Sequence, residues 1–188
     1  MKAWLDEIES ALVAQALKRP VPAQTLAPAE ALAGRAAVAA KFLGVGTPRT
    51  LGLAGCGDLA PLVLSAQRAY AAPRELRVFE AVPVEAARVA DTVGGRVASL
   101  AEACACDLVV CAGRISVRRE WVRGGTLITV LDTDVAIDPV LLAAAQVYGD
   151  LVPAGAPAGF RLVASLSAVA AGLVDGRVLD EVIVLLPV

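Results

Sequence analysis

The sequence predicts an α/β protein: a Rossmann-like, doubly wound parallel sheet with flanking N-terminal helices. Three observations predict it. From Arg49 onward, short apolar runs alternate with helical segments, the texture of strand–helix repeats that form a parallel sheet with helices on both faces. The runs are rich in Val and Leu, as strands buried on both sides are. The first run leads directly into a glycine turn, Gly55-Cys56-Gly57.

Each element has its own reason. Residues 3–19 form an amphipathic helix, with Trp4, Ile8, Leu12 and Ala16 recurring every fourth residue and Leu5 beside them. Acids open it, Lys18 and Arg19 close it in keeping with the macrodipole, and Pro20 and Pro22 end it. Residues 20–27 are a linker. Pro28, favourable in a first turn, starts a second helix that runs to Gly44 as its C-cap. Strands are expected at 50–54, 75–80, 96–98, 107–111, 125–130 and 146–149. Helices are expected at 58–71, 83–92, 99–104 and 139–145. Residues 153–159, rich in Pro and Gly, form a loop. A final helix is expected over 162–174 and an extended segment over 180–186. The organisation that follows is an N-terminal helical extension, 1–46, and a dinucleotide-binding domain, 47–188.

Composition removes several function classes. The chain has 188 residues, 57% hydrophobic, with 39 alanines and no histidine. That excludes disorder and every role that needs an imidazole, whether in catalysis or metal ligation. A formal net charge of -2 argues against a nucleic-acid partner. The longest stretch without a charge, residues 162–174, has 13 residues, short of the roughly 18–20 needed to span a membrane. Asp6, Glu7 and Glu9 stand where a signal peptide would be basic and then apolar, so a cytoplasmic location is expected. Cys56, Cys104, Cys106 and Cys111 lack paired ligand spacing and read as small buried residues, with no metal. Arg118, Arg119 and Arg123 read as a solvated basic face, and Trp121 as a packing residue.

One motif carries a mechanism. Gly55-Cys56-Gly57-Asp58-Leu59-Ala60 fits G-x-G-x-x-[GA] between a strand and a helix. Gly55 permits the tight turn, Gly57 leaves room for a pyrophosphate, and Ala60 lets the helix pack close to the sheet. The helix N-terminus then offers N–H groups and positive dipole to phosphates. The second strand ends in an acid, Glu80, placed to take ribose hydroxyls, and no arginine follows it directly. NAD is therefore expected, with NADP disfavoured. Asp58 cuts the other way, setting a negative charge near the phosphates, unless it serves only as a helix-start residue. The alternative is a glycine turn that binds nothing.

Residues 39–43 and 49–57, then 76–80, 103–112, 120–125, 128–134, 137–139, 167–172, 176–177 and 180–183, together resemble the nucleotide domain of the ornithine cyclodeaminase/mu-crystallin family, in order, over roughly residues 36–185. The resemblance implies hydride transfer between a carbon bearing nitrogen and a nicotinamide, on a small amino acid or imine. It adds the turn beyond the fourth strand, Cys111, Ala112 and Gly113, to the cofactor residues. It identifies Asp134 with the family's catalytic aspartate, and Asp132 stands where the family usually has a small residue. The family's arginine at the start of the helix leading into the nucleotide domain falls on Ala31, and Arg35, one turn on, is its substitute on the same face. Asp134 acts as a base if burial raises its pKa, or is a loop acid at the start of the next helix. Only about 48 residues precede the first strand, too few for the substrate and dimerisation domain that precedes it in the family. Whether the protein is an enzyme stays open: an oxidoreductase of this type, completed by a homodimer or a partner subunit, or a non-catalytic nucleotide-binding or interaction subunit.

Overall fold

The structure is a computed structural model. It describes residues 2–20, 26–150, 156–177 and 180–187. Most of the 20–27 linker and the first part of the 153–159 loop lie outside them.

The longest apolar runs become the centre of the sheet. β1 (Thr50–Ala54), β4 (Leu108–Cys111), β6 (Leu127–Val130) and β10 (Ile183–Leu185) are buried along nearly their whole length. Strands covered on both faces need no polar alternation, which is why these segments read as mostly apolar runs rich in Val, Leu and Ile. Nearer the edge, β2 (Glu75–Phe79) alternates half-buried and buried side chains. With β3 (Arg96–Val97), β8 (Gln146–Tyr148) and β9 (Leu162–Ala164) they make one eight-stranded sheet in the order β3-β2-β1-β4-β6-β10-β8-β9, with every neighbouring pair parallel.

Helices cover both faces, and successive strand residues divide between them. Leu108 and Val110 pack with α2 (Pro28–Leu43), α3 (Ala60–Gln67), α4 (Pro83–Val93) and α7 (Leu166–Ala170). Val109 and Cys111 pack with α5 (Leu100–Cys104) and α6 (Pro139–Ala144) on the other side. The chain winds outward from β1 through β2 to β3, then returns to place β4 on the far side of β1. That reversal opens a crevice beyond the carboxyl ends of β1 and β4, where folds of this kind hold ligands. No helix of the described residues is long and apolar enough to cross a membrane.

The N-terminal helices join the first of these faces. α2 begins at Pro28, its Glu30 carboxylate accepting from the Ala27 N–H at 2.9 Å, and ends at Gly44, as the sequence indicates. α1 (Lys2–Ala16) lays Leu5, Ile8 and Leu12 into the same apolar cluster and is tied to α2 by Lys41 on Glu9 at 2.7 Å.

Four expectations are corrected. α1 stops at Ala16 because Lys18 turns left-handed at φ 53°, so neither Lys18 nor Arg19 sits in its last turn and no acid sits in its first. The helix expected at 58–71 is a 3₁₀ turn, Gly57–Leu59, followed by α3, which ends at Gln67. The helix expected at 162–174 is instead a strand and a short helix. Residues 162–164 pair with β8, and Ser165 then caps α7 by accepting from the Ala168 N–H at 3.1 Å. A small two-stranded parallel ribbon, β5 (Ser116–Val117) with β7 (Ala136–Ile137), was not expected. Two-residue strands leave too little periodicity to read.

Candidate functional site

The glycine loop sits at the carboxyl end of β1, where the sheet reverses. The Gly55 N–H donates to the Phe79 carbonyl at 2.9 Å, and the Ala112 N–H donates to the Ala54 carbonyl at 2.9 Å, so the loop is held from both neighbouring strands. Gly55 has φ 70°, and a Cβ there would collide with the Ala112 carbonyl. Only glycine meets both demands. Gly57 differs. It has φ 49°, but a Cβ built on it meets no heavy atom within 4 Å. The space in front of Gly57 is open, and a side chain would fill it. Ala60 is fully buried where α3 meets the sheet.

Glu80, at the end of β2, reaches this loop. Its Oε1 accepts from the Gly57 N–H at 2.7 Å. Burial raises its carboxyl above the ordinary value, opposed by the Gly57 hydrogen bond, with Glu85 adding to the rise and Arg88 reducing it. Asp58 points outward, 91% exposed, and pairs with Arg88 of α4 at 2.7 Å. Leu59 is half-buried in the 3₁₀ turn. Cys56 is buried beneath the loop, its Sγ 3.4 Å from the Val110 carbonyl. Burial first, then Glu80, pushes its thiol up to about 12, so it is neutral near pH 7 and not a nucleophile. The other three cysteines are also buried, free thiols.

The neighbouring loops carry the remaining candidates. Cys111 ends β4, followed by buried Ala112 and by Gly113 at φ 67°. The Asp132 carboxylate spans two loops: one oxygen accepts from the Gly113 N–H at 2.7 Å, the other from the Asp134 N–H at 3.0 Å. The sequence marks Asp132 only as an acid in place of a small residue, and no local pattern reveals a bond to a residue 19 positions away. Asp134 itself is 64% exposed, with Arg114 Nε at 4.0 Å.

Arg35 lies on the same edge of the sheet but among different groups. It borders a small cavity of about 70 Å³ with Thr129 and Leu131 at the end of β6 and Leu185 at the end of β10. Its Nη2 is buried and lies 3.7 Å from the Asp150 carboxylate, with no shorter partner among the described residues. Burial lowers its pKa, with Asp150 opposing. Arg35 is thus engaged with Asp150, and Asp134 with Arg114. A wider cleft of about 710 Å³ lies between α1, the end of α2 and the turn after α3, lined by Asp6, Glu9, Lys41 and Tyr70 among others, and includes none of these residues.

The arrangement leaves open space over Gly57, with a carboxylate at its border, at the carboxyl ends of β1 and β4 where the sheet reverses. These are the parts a dinucleotide site requires.

Comparison with known proteins follows the same lines. The model of the ornithine cyclodeaminase/mu-crystallin family matches residues 23–188. No curated protein sequence matches the chain. Among solved structures, an archaeal alanine dehydrogenase dimer with bound NAD is similar at 23% identity and a TM-score of 0.72, over 84% of this chain and 57% of that one. The iminosuccinate reductase of Paracoccus denitrificans in complex with NAD+ gives the same four values. The Δ1-pyrroline-2-carboxylate reductase of Thermococcus litoralis, in complex with NADH and L-proline, is 19% identical at a TM-score of 0.67, over 82% and 57%. The chain therefore spans a little over half the length of each of these enzymes.

Proposed function

The chain belongs to the ornithine cyclodeaminase/mu-crystallin family, and from that premise we propose that it binds NAD(H) at residues 55–60 and works as an oxidoreductase on a small amino acid or imine. The observation that carries this reading is the open space over Gly57 with Glu80 at its border. The Gly57–Ala60 segment would hold the pyrophosphate, and Glu80 would take the adenine-side ribose hydroxyls. A carboxylate there opposes a 2′-phosphate, which favours NAD over NADP. Gly113 and the turn before it would border the nicotinamide end. The bound nicotinamide would supply the hydride acceptor or donor. Asp134 is the residue assigned to proton transfer and Arg35 the one assigned to a substrate carboxylate. In this reading residues 47–188 are the nucleotide domain, and 1–46 are an N-terminal helical extension that packs against it. The alanine dehydrogenase dimer and the L-proline complex support the substrate class and a homodimer, or a partner subunit, covering the crevice.

Titration of NADH fluorescence tests the binding directly. NADH saturates the protein and NADPH binds more weakly; absence of NADH binding by folded protein overturns the proposal. Light scattering tests the assembly, and a monodisperse monomer at high concentration contradicts the dimer.

A second reading is favoured by one observation. Asp134 is largely exposed beside Arg114, whereas a base of useful strength at neutral pH gains from burial. A nucleotide-binding or interaction subunit without its own catalysis fits that exposure. Hydride transfer with a panel of ketimines and amino acids separates the two: turnover with any member supports the enzyme, and tight NADH binding with no turnover selects the subunit.

A further inference from the structure

We propose that Arg88 is the counter-charge that makes this acid-bordered glycine loop acceptable to a dinucleotide's pyrophosphate; the inference rests on the NAD-binding reading above. Three carboxylates surround the loop. Asp58 lies in it, Glu80 is bonded to its Gly57 N–H, and Glu85 is on the first turn of α4. A pyrophosphate brings about two more negative charges to the same place, and like charges at short range oppose binding. The compensating helix is short, since α3 has 8 residues and opens through a 3₁₀ turn.

Arg88 answers this excess. Its Nη2 holds Asp58 Oδ1 at 2.7 Å while its Nε holds Glu85 Oε2 at 2.7 Å. Its charge also acts on Glu80, lowering a carboxyl that burial and Glu85 raise. One guanidinium thus holds two of the three acids directly and offsets the charge of the third. An arginine is suited to this because its planar fork serves two carboxylates at once and stays charged. The sequence sets Asp58 against the motif; its partner stands 30 residues further on, across the first βαβ unit.

The alternative is that Arg88 merely fastens α4 to the loop, a surface ion pair of small worth. The two roles differ in their effect on affinity. NADH fluorescence titrations at low and high salt, with thermal unfolding in parallel, are carried out on the wild-type chain, Arg88→Gln, Asp58→Asn and the double variant. The expected result is about a fivefold loss of affinity in Arg88→Gln at low salt, shrinking at high salt. Asp58→Asn alone tightens binding about twofold, and in its background the Arg88→Gln loss falls to about twofold, because one of the acids no longer needs cover. Unchanged affinity in folded Arg88→Gln overturns the proposal and leaves the fastening role. An equal loss in both backgrounds also overturns it, since Arg88 then acts on the nucleotide and not through Asp58. Failure of the wild-type chain to bind NADH removes the dinucleotide reading and this proposal together, whereas either of the other outcomes leaves that reading standing.

Discussion

The ends of β1 and β2 and the ends of β4 and β6 lie on one edge of the sheet but are built differently. At the first pair the polar groups answer one another: Gly57 donates to Glu80, Asp58 takes Arg88, and Arg88 takes Glu85. At the second, Asp132 stitches Gly113 to Asp134 through their backbones, and the side chain of Asp134 is left largely to solvent. The first region is organised around the open space at Gly57. The second is organised to hold two loops together, and its one candidate for chemistry is not enclosed. The two regions thus differ in how far their side chains are tied to one another, and the first is the more closely tied.

The largest expected effect breaks the first region. Gly57→Val fills the open space and forces a β-branched residue to φ 49°. It should abolish NADH binding and cost about 1–3 kcal/mol of stability from backbone strain, read by fluorescence titration and urea unfolding. Retained affinity would separate the loop from the nucleotide.

Asp132→Ala acts on the second region. It leaves the Gly113 and Asp134 N–H groups without their carboxylate, at an expected cost of about 1–3 kcal/mol. Urea unfolding measures it. NADH affinity should fall less than in Gly57→Val, and an equal loss would show that the two regions are one site.

Glu80→Gln sharpens the contrast through pH. The Glu80 carboxyl is raised in the folded state, mainly by burial. An acid with a raised folded pKa binds its proton more tightly folded than unfolded. Stability therefore declines as pH rises from the ordinary glutamate pKa through the raised value, and is constant above it. Removing the charge should flatten that decline and stabilise the neutral protein, by less than about 1 kcal/mol once solvent screening is allowed for. The same change should weaken NADH and narrow its advantage over NADPH. Thermal unfolding across pH, with parallel titrations, checks both.

Arg114→Gln is the smallest. The pair with Asp134 is long, at 4.0 Å, and Arg114 is 93% exposed. Its loss should change stability by no more than about 0.5 kcal/mol in thermal unfolding. A larger change would mean that the second region is more tightly built than its exposure implies.

These differences track what a sequence can carry. β1, β4 and β6 are legible because burial on both faces leaves a mostly apolar run without polar alternation, and α2 because Pro28 and Gly44 mark its ends. The glycine loop is legible because its spacing answers a steric demand. The strand at 162–164 is not, because its apolar residues suit a helix equally well and only pairing with β8 decides. Ser165, a good N-cap, was the available sign that a helix begins there and not earlier. The roles of Asp132 and Arg88 are not legible for another reason. Their partners are 19 and 30 residues away, and such bonds exist only after the sheet has brought the loops together.

The most direct measurement is a crystal structure of the chain grown with NAD. The expected structure has the pyrophosphate over Gly57, a ribose on the Glu80 carboxylate, and Arg88 still holding Asp58. A loop empty at saturating NAD, with Glu80 still on the Gly57 N–H, would contradict it.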